Sequence, residues 1–471
     1  MSQAEILYPR LPIPLQHIAC SLEGWRIQRM RFSEPFPTLL REAESRAAWS
    51  AEQMQDYRDA RLRAFVRHAA DTVPYYRRRF RELGISPDDI RTLEDLRRLP
   101  ILTRQEVQEH SQELISEAVP EGQRIMTRTS GTTGTPLRFP TTRRTIQEQW
   151  SIWWRYWRWH GLRQGTWCAH TTSRTVVPVA QAQPPFWRYN YPGHQIIFSS
   201  LHTSPEQLAA WVDELRRRRP PWLHGYPSVI ALLAAYIVDS GADLGYVPRW
   251  VTLGADNVLP QQARMMEQAF GVRPRQHYGL AEGVVNVSEC EQGSLHVDED
   301  FAAVEFIPNP GGSGCRLVGT NMANPATPLI RYDTLDLATL AEGSCPCGRP
   351  GRLVASFDGR QNDFVIRSDG APIHCLSEIT HDITSLREVQ IYQPRLGEVT
   401  IRIVRGPGYS QEDERTIMAR AHEFMGNDMN VSIAYVASLP RTASGKLRGI
   451  VSDLPQAHYA RLGARNGRGP E

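Results

Sequence analysis

The chain has 471 residues, 41% of them hydrophobic and 22% charged, with a net charge of +3. That length is more than one compact core accommodates and predicts at least two domains, while so small a net charge gives no electrostatic case for a nucleic-acid partner, which needs a basic stripe. Seven cysteines in a chain this long make no disulfide framework, so in a reducing compartment any that cluster read as metal ligands.

The N-terminal "MSQAEILYPRLPIPLQ" holds no basic segment followed by an apolar core, and nowhere do about 18 apolar residues run together, which predicts a cytoplasmic protein with no membrane partner. From Pro35 to about Glu117 the pattern is helical, "MQDYRDARLRAFVRHAADTVPYY" repeating apolar residues at three- and four-residue spacing. The basic runs "YYRRRFR" and "LRRRRPP" sit in polar, helix-like surroundings and read as solvated helix faces or ends. Next comes "TRTSGTTGTPLRF", Thr127 to Phe139, bracketed by "IMTRT" and "PLRFP", which alternate as half-buried strands do. Its small residues let several backbone N–H groups converge, and Ser130, Thr132 and Thr133 add hydroxyl donors, which suits a phosphate. Gly and Thr are also ordinary turn residues, and on the loop alone a plain hairpin turn serves equally well. No Gly-Lys-Ser/Thr closes the loop, so it is not a Walker A motif.

In "QWSIWWRYWRWHG", Trp150, Trp153, Trp154 and Trp157 share one helical stripe with Ile146, Arg155 and Arg158 fall off it, and Gly161 supplies the stop. This predicts a core-facing helix rather than an interfacial one. From Gly122 to about Ala355, short apolar runs such as "WVTLGAD", "AAVEFI" and "CRLVGTNM" alternate with helical stretches such as "PEQLAAWVDELRRRR" and "SVIALLAAYIVDS", the mark of an α/β domain. The Gly-rich "NPGGSGCR" leads into a strand and reads as a connecting turn. After Arg360 the strands "EVQIYQP" and "EVTIRIV", the helix "QEDERTIMARAHEFM" and the strand "VSIAYVA" make a compact α+β unit of about 110 residues. The tail "ARLGARNGRGPE" reads as frayed.

Four further segments accompany the Gly-Thr loop in order: "QHYGLAEG", "PLIRYDTLD", "GRQNDFVIRSDG" and "LPRTASGKLRG". As an ordered set they resemble the core motifs of the adenylate-forming superfamily. "PPFWRYN", "FSSLHTS", "HGYPSVIALLA" and "ECEQGSLHVDEDF" are similar to its phenylacetate–CoA ligase and coenzyme F390 synthetase branch, the CapK-like proteins. The resemblance implies an α/β fold: a large multi-subdomain N-terminal adenylation domain, residues 1–359, followed by a small mobile α+β C-terminal domain, residues 360–471.

It also implies an AMP-forming ligase that activates a carboxylic acid, aromatic in keeping with the branch, using ATP and Mg²⁺, and passes the acyl group to CoA. By this resemblance Ser130, Gly131, Thr132, Thr133 and Gly134 cradle the outgoing phosphates. Tyr278 lies against adenine, Glu282 holds Mg²⁺, and Asp336 accepts hydrogen bonds from the ribose hydroxyls. Gly254, Ala255 and Gly279 border the nucleotide, and Arg360 sits near it at the domain junction. Lys446, on the small domain, brings a positive charge to the carboxylate and α-phosphate. His202, Tyr226, Pro227 and Asp256 line the acyl group. Taken singly, Tyr278 passes for a core aromatic, Asp336 for a turn residue and Lys446 for a solvated lysine. The joint arrangement favours the functional reading.

The branch further suggests a structural zinc site from Cys290, His296, Cys345 and Cys347, three thiolates and one imidazole. Spacing alone leaves packing cysteines open, since Cys-x-Cys is tighter than the usual pair. Cys20, Cys168, Cys315 and Cys375 read as packing residues. Several positions depart from the superfamily pattern: Ala281 replaces a Thr or Ser beside the metal-binding Glu, Thr135 stands where Lys is frequent, Asn362 replaces the hinge Asp, and "SDGAPIHCLSEI" drifts beside the expected CoA channel. The acceptor is therefore open between CoA, a carrier-protein thiol and an amine. A catalytically silent nucleotide- or zinc-binding homologue is the alternative from another class, and a homodimer is an open oligomeric state.

Overall fold

The computed structural model describes residues 7–129, 137–172, 174–255, 258–309, 314–360, 365–368, 372–373, 379–380, 383, 385–441 and 447–454. The helical N-terminal region contains α1 (Ile13–Phe32), α2 (Phe36–Arg46), α3 (Ala51–Thr72), α4 (Pro74–Leu83) and α5 (Arg104–Glu109). Ser50 starts α3 through a reciprocal capping box with Gln53, which satisfies two N–H groups the helix itself cannot. Helix α1 lies ahead of the region whose spacing predicts helix. It carries no core stripe: Leu22 and Trp25 are 65% and 54% exposed, and only Gln16 and Gly24 are buried. It docks instead by close backbone approach, since a Cβ on Gly24 would meet the Asn190 side chain at 1.8 Å.

Strands β1 (Ile125–Arg128) and β2 (Arg138–Thr141) pair antiparallel, Arg128 opposite Arg138, on either side of the Gly-Thr loop. Helix α6 (Arg143–Trp159) follows and ends as its sequence predicts, with the Gly161 and Leu162 N–H groups donating to the Arg158 and Trp157 carbonyls. Strands β3 (Cys168–Thr172), β4 (Trp187–Asn190), β5 (Gln195–Ser199), β6 (Trp222–Gly225), β7 (Trp250–Gly254), β8 (Arg275–Gly279), β9 (Asn286–Glu289), β10 (Leu295–Val297), β11 (Ala303–Pro308), β12 (Cys315–Thr320), β13 (Tyr332–Leu340) and β14 (Leu353–Arg360) form one sheet. Its order among the described residues is β11-β12-β13-β14-β10-β9-β8-β7-β6-β3-β5-β4.

The middle of that sheet is parallel, β5, β3, β6, β7 and β8. Its crossovers are α7 (Pro205–Arg218), α8 (Pro227–Ser240) and α9 (Pro260–Phe270). Each begins with Pro at its first turn, and α8 and α9 stop at Gly241 and Gly271, both left-handed (φ 66° and 70°). Pro costs nothing where no N–H is needed, and Gly alone accepts that φ freely. One core joins α3 and α4 to β9–β14. A second joins Trp211 of α7, Ile230 of α8 and Met266 of α9 to the parallel strands.

The Trp stripe of α6 faces inward as expected: Trp154 and Trp157 are buried and meet Trp222 edge to face at 6.3 and 5.1 Å. Arg155 lies off the stripe, yet it is 3% exposed and not in solvent. Its guanidinium donates to Asp298 at 2.6 Å and to Asp300 at 2.7 Å, and Arg46 reaches the same Asp300 at 2.7 Å. The helix is thus buried on two sides, by hydrocarbon on one and by a satisfied ion network on the other.

The C-terminal unit has the short pair β15 (Val365–Ile366) and β16 (Pro372–Ile373), then β17 (Leu386–Arg395), β18 (Glu398–Arg405), α10 (Gln411–Met425), β19 (Asn430–Tyr435) and β20 (Ile450–Ser452). The last four strands make a separate mixed sheet, β19-β18-β17-β20, with its own Ile- and Val-rich core beneath α10. The molecule is therefore a mixed α/β protein with a large N-terminal and a small C-terminal unit. Arg387 Nε, on β17, donates to Asp239 of α8 at 2.9 Å and links the two. Among the described residues no helix is long and apolar enough to cross a membrane.

Candidate active site

In an open α/β sheet, ligands enter at the carboxyl ends of parallel strands, where loops leave in different directions. Here those ends are Gly225 of β6, Gly254 of β7 and Gly279 of β8. Tyr226 and Pro227 open α8 directly after β6, the Tyr226 N–H donating to Thr171 Oγ1 at 3.3 Å. After β7, Ala255 takes a left-handed backbone (φ 65°) that an L-residue with a Cβ rarely adopts. Gly279 cannot be replaced without displacement, since a Cβ there would lie 2.8 Å from Asn286 Oδ1 and 2.9 Å from His277 Cε1. Glu282 follows in the turn to β9 and is 8% exposed. It borders a small cavity, about 40 Å³, lined by Thr127, Thr145, Gln149, Asn321 and Asn324 among others. Hydroxyl and amide groups beside a buried carboxylate suit a hydrated divalent cation with its phosphate ligand.

Tyr278 Oη donates to Asp336 Oδ2 at 2.5 Å, and the Tyr278 ring stacks on Phe357 at 4.3 Å and 16°. Asp336 lies on β13, four places from β8 in the sheet order, which would be about 19 Å in a flat sheet. The sheet curls to close that distance. Tyr278 and Asp336, which belong to separate motifs, thus meet at one end of the sheet, and Glu282 follows Tyr278 within the same motif. Phe357 belongs to no motif; its only sequence signal is an aromatic in a strand, "ASFDG", which any core strand shares.

The structure does not bring His202 into this group. It is buried at the β4–β5 edge, stacked on Phe186 at 5.2 Å, with Nδ1 2.7 Å from Ser199 Oγ. Ser130, Gly131, Thr132, Thr133, Gly134, Asp256 and Lys446 lie outside the described residues, as does the Arg360 side chain. The Arg360 backbone pairs with Asp336 across β13 and β14.

Three histidines outside every motif role stand on the sheet face beneath α6. His170 stacks on His224 at 5.2 Å, and His224 Nδ1 lies 2.8 Å from Thr252 Oγ1. His277 Nε2 lies 2.9 Å from Asn286 Oδ1. Burial lowers the pKa of both His224 and His277 to about 4, and that of His170 well below the usual value. All three are neutral at pH 7.

A second cluster lies at the opposite end of the sheet. β9 runs antiparallel to β8, so Cys290, just past β9, stands beside the amino end of β8. The ligand atoms of Cys290, His296, Cys345 and Cys347 lie within 4.8 Å of one another. Cys290 Sγ is 3.6 Å from Cys345 Sγ, and Cys347 Sγ is 3.3 Å from His296 Nε2. A tetrahedron with Zn–S about 2.3 Å has edges of about 3.8 Å, so the spacing fits zinc. His296 Nδ1 faces the Pro350 carbonyl at 3.3 Å, which leaves Nε2 as the ligand nitrogen. Four side chains so placed, away from the strand carboxyl ends, could hold a metal ion.

Residues 365–453 match the family model of the CapK C-terminal domain. The chain is 22% identical to protein CapK of Staphylococcus aureus over 95% of this chain and 99% of that protein. It is 26% identical to a phenylacetate–coenzyme A ligase of Thermus thermophilus, over 67% of this chain and 72% of that one. The fold is similar to the crystal structure of 2-hydroxyisobutyryl-CoA ligase in the postadenylation state, with TM-score 0.67 and 19% identity, covering 90% of this chain and 94% of that one.

Proposed function

The chain belongs to the adenylate-forming superfamily, in the branch that holds CapK and the phenylacetate–CoA ligases, and we propose that it joins a carboxylic acid to CoA by way of an acyl-adenylate. The observation that carries this reading is the contact of Tyr278, at the carboxyl end of β8, with Asp336 of the distant β13, with Glu282 in the turn that follows β8. A carboxylate oxygen of the acid forms a bond to the α-phosphorus of ATP while the bridge to the β-phosphate breaks, releasing pyrophosphate. The CoA thiolate then attacks the acyl carbonyl and AMP leaves. Positioning and charge neutralisation supply most of the rate in such transfers.

In this reading the Tyr278 ring, backed by Phe357, is the surface for adenine. Asp336 is the acceptor for the ribose hydroxyls, already oriented by the Tyr278 phenol. Glu282 would hold Mg²⁺, which would neutralise charge on the phosphates. Ser130, Thr132, Thr133 and the glycines Gly131 and Gly134 donate to the phosphates, and Lys446 brings its charge to the reacting carboxylate. Tyr226 and Pro227 border the acyl group, and the Gly254–Ala255 turn borders the nucleotide. Cys290, His296, Cys345 and Cys347 would hold a structural zinc ion.

A second reading keeps adenylation and gives the acyl group to a carrier-protein thiol or an amine. It is left open by the C-terminal unit: the phenylacetate–CoA ligase likeness covers 67% of the chain, and "SDGAPIHCLSEI" departs from the branch pattern. CoA-dependent release of AMP supports the first reading, and AMP release that ignores CoA supports the second. Acid-dependent ATP–pyrophosphate exchange across a panel of carboxylic acids tests both. Exchange is expected with at least one acid and to fall by about 100-fold or more in Lys446→Ala, the size expected for loss of a charge aimed at the reacting group. No exchange with any acid sinks the adenylation reading.

A further inference from the structure

The turn that carries Glu282 is held from two sides. Residues 280–283 lead from β8 toward β9, and the turn closes on itself through the Gly283 N–H, which donates to the Leu280 carbonyl at 3.1 Å. From α6, Gln149 Nε2 donates to the same Leu280 carbonyl at 3.0 Å. From the opposite side Asn321, just past the end of β12, donates from Nδ2 to the Glu282 carbonyl at 3.2 Å. Gly319, two residues earlier, has no room for a side chain, since a Cβ there would lie 2.0 Å from the Val284 carbonyl oxygen. Residues two apart on a strand share a face, so the end of β12 presents Gly319 and Asn321 together to the backbone of 282–284.

Asn321 is itself fixed. It is 1% exposed, its Nδ2 also donates to the Thr327 carbonyl at 3.2 Å, and its Oδ1 accepts the Leu329 N–H at 2.8 Å. Its own N–H donates to the Leu329 carbonyl at 3.2 Å. Thr327 and Leu329 flank Pro328, the first residue of "PLIRYDTLD", the segment that ends in Asp336. One buried amide therefore ties the turn of Glu282 to the start of the segment of Asp336. An amide with both N–H groups and its oxygen engaged by backbone has one orientation. Asn321, Gln149 and Glu282 border the same cavity of about 40 Å³, so the two amides fix where the carboxylate stands against that space. A small divalent cation with octahedral demands tolerates little displacement of a carboxylate ligand, and groups that orient a ligand from behind alter metal affinity strongly.

We propose that Asn321 is a positioning residue for the divalent cation: with Gln149 as its weaker counterpart, it fixes the backbone of the Glu282 turn and so the place at which the Glu282 carboxylate meets the metal. The proposal rests on the reading of Glu282 as the Mg²⁺ ligand of an adenylating enzyme. Asn321 acts through Glu282 and touches neither nucleotide nor acid.

Calorimetric titration of the whole chain with MgATP, and separately with AMP in the absence of added Mg²⁺, divides the metal's share of binding from that of the nucleoside. In Asn321→Ala the Kd for MgATP is expected to rise by about tenfold or more, the Kd for AMP staying within about twofold of the unaltered protein. Gln149→Leu removes one neutral hydrogen bond and is expected to raise the Kd for MgATP alone by about threefold. A loss that falls equally on MgATP and AMP marks Asn321 as scaffold and overturns the proposal, as does no change in either; adenylation then still stands, because the unaltered protein binds both. An unaltered protein that binds neither nucleotide sinks the adenylation reading and the proposal with it. Should Asn321→Ala fail to fold, Gln149→Leu decides: a rise for MgATP alone supports the proposal, and an equal change or none overturns it.

Discussion

Asp336 is engaged through both its side chain and its backbone. The Tyr278 phenol donates to one of its carboxylate oxygens at 2.5 Å, and the Thr334 hydroxyl accepts from its backbone N–H at 3.0 Å. Hydrogen bonds to a charged acceptor contribute about 1.5–3 kcal/mol. In the proposed role, Asp336→Asn is expected to raise KM for ATP by roughly tenfold or more, with KM for the acid little changed; steady-state kinetics with each substrate varied checks this. An equal rise in both would instead place Asp336 in the scaffold. Tyr278 and Asp336 are legible in the sequence because their motifs are contiguous. Phe357 is not, because it gains its meaning from Tyr278, far away in the chain.

At the scale of the element, α6 shows why a helical stripe is only half of a helix. The sequence predicts its Trp face, its inward orientation and its Gly161 stop. It does not predict the other side, where Arg155 meets Asp298 and Asp300 from the turn after β10. Burial opposes the charge on Asp300, but the Arg155 and Arg46 guanidiniums outweigh it and hold the carboxyl at about 2. Removing one partner leaves the others charged and buried, so Arg155→Ala is expected to destabilise the protein by about 3–5 kcal/mol. Denaturant titration followed by Trp fluorescence reads this directly, since the α6 tryptophans report the same helix. Arg158, later on the same helix, is paired with Glu44 on the surface, and its loss is expected to cost under about 1 kcal/mol.

For the whole molecule, the neutral histidines under α6 tie stability to pH. The folded pKa of His224 and His277 is about 4, against 6.5 for an unperturbed imidazole. Because burial lowers the folded value, the unfolded chain takes up protons first as pH falls. Stability is therefore fully present above about 6.5 and drains away between there and about 4. The melting temperature is expected to be lower at pH 5 than at pH 7 by about 3 °C or more, and His277→Gln should shrink that difference. The cysteine–histidine cluster at the other end of the sheet joins the β9–β10 turn to the segment before β14. Purified protein is expected to carry one zinc ion per chain by metal analysis, and chelation to lower the melting temperature by about 10 °C. Protein that melts identically with and without chelator would leave the four residues as packing.

The sequence by itself determined the alternation of strands and helices, the core-facing Trp stripe, the C-terminal α+β unit and the motif order, since each depends on local period, turn chemistry or contiguous residues. It also named Cys290, His296, Cys345 and Cys347 as a set, although 55 residues of chain separate Cys290 from Cys345. The tertiary structure alone decided what depends on the sheet's curl and on the docking of α1: that Asp336 reaches Tyr278, that Arg155 is buried, that His202 stacks on Phe186, and that Arg31 lies over Trp150. Those are long-range contacts, and no local pattern encodes which distant side chain a residue will meet.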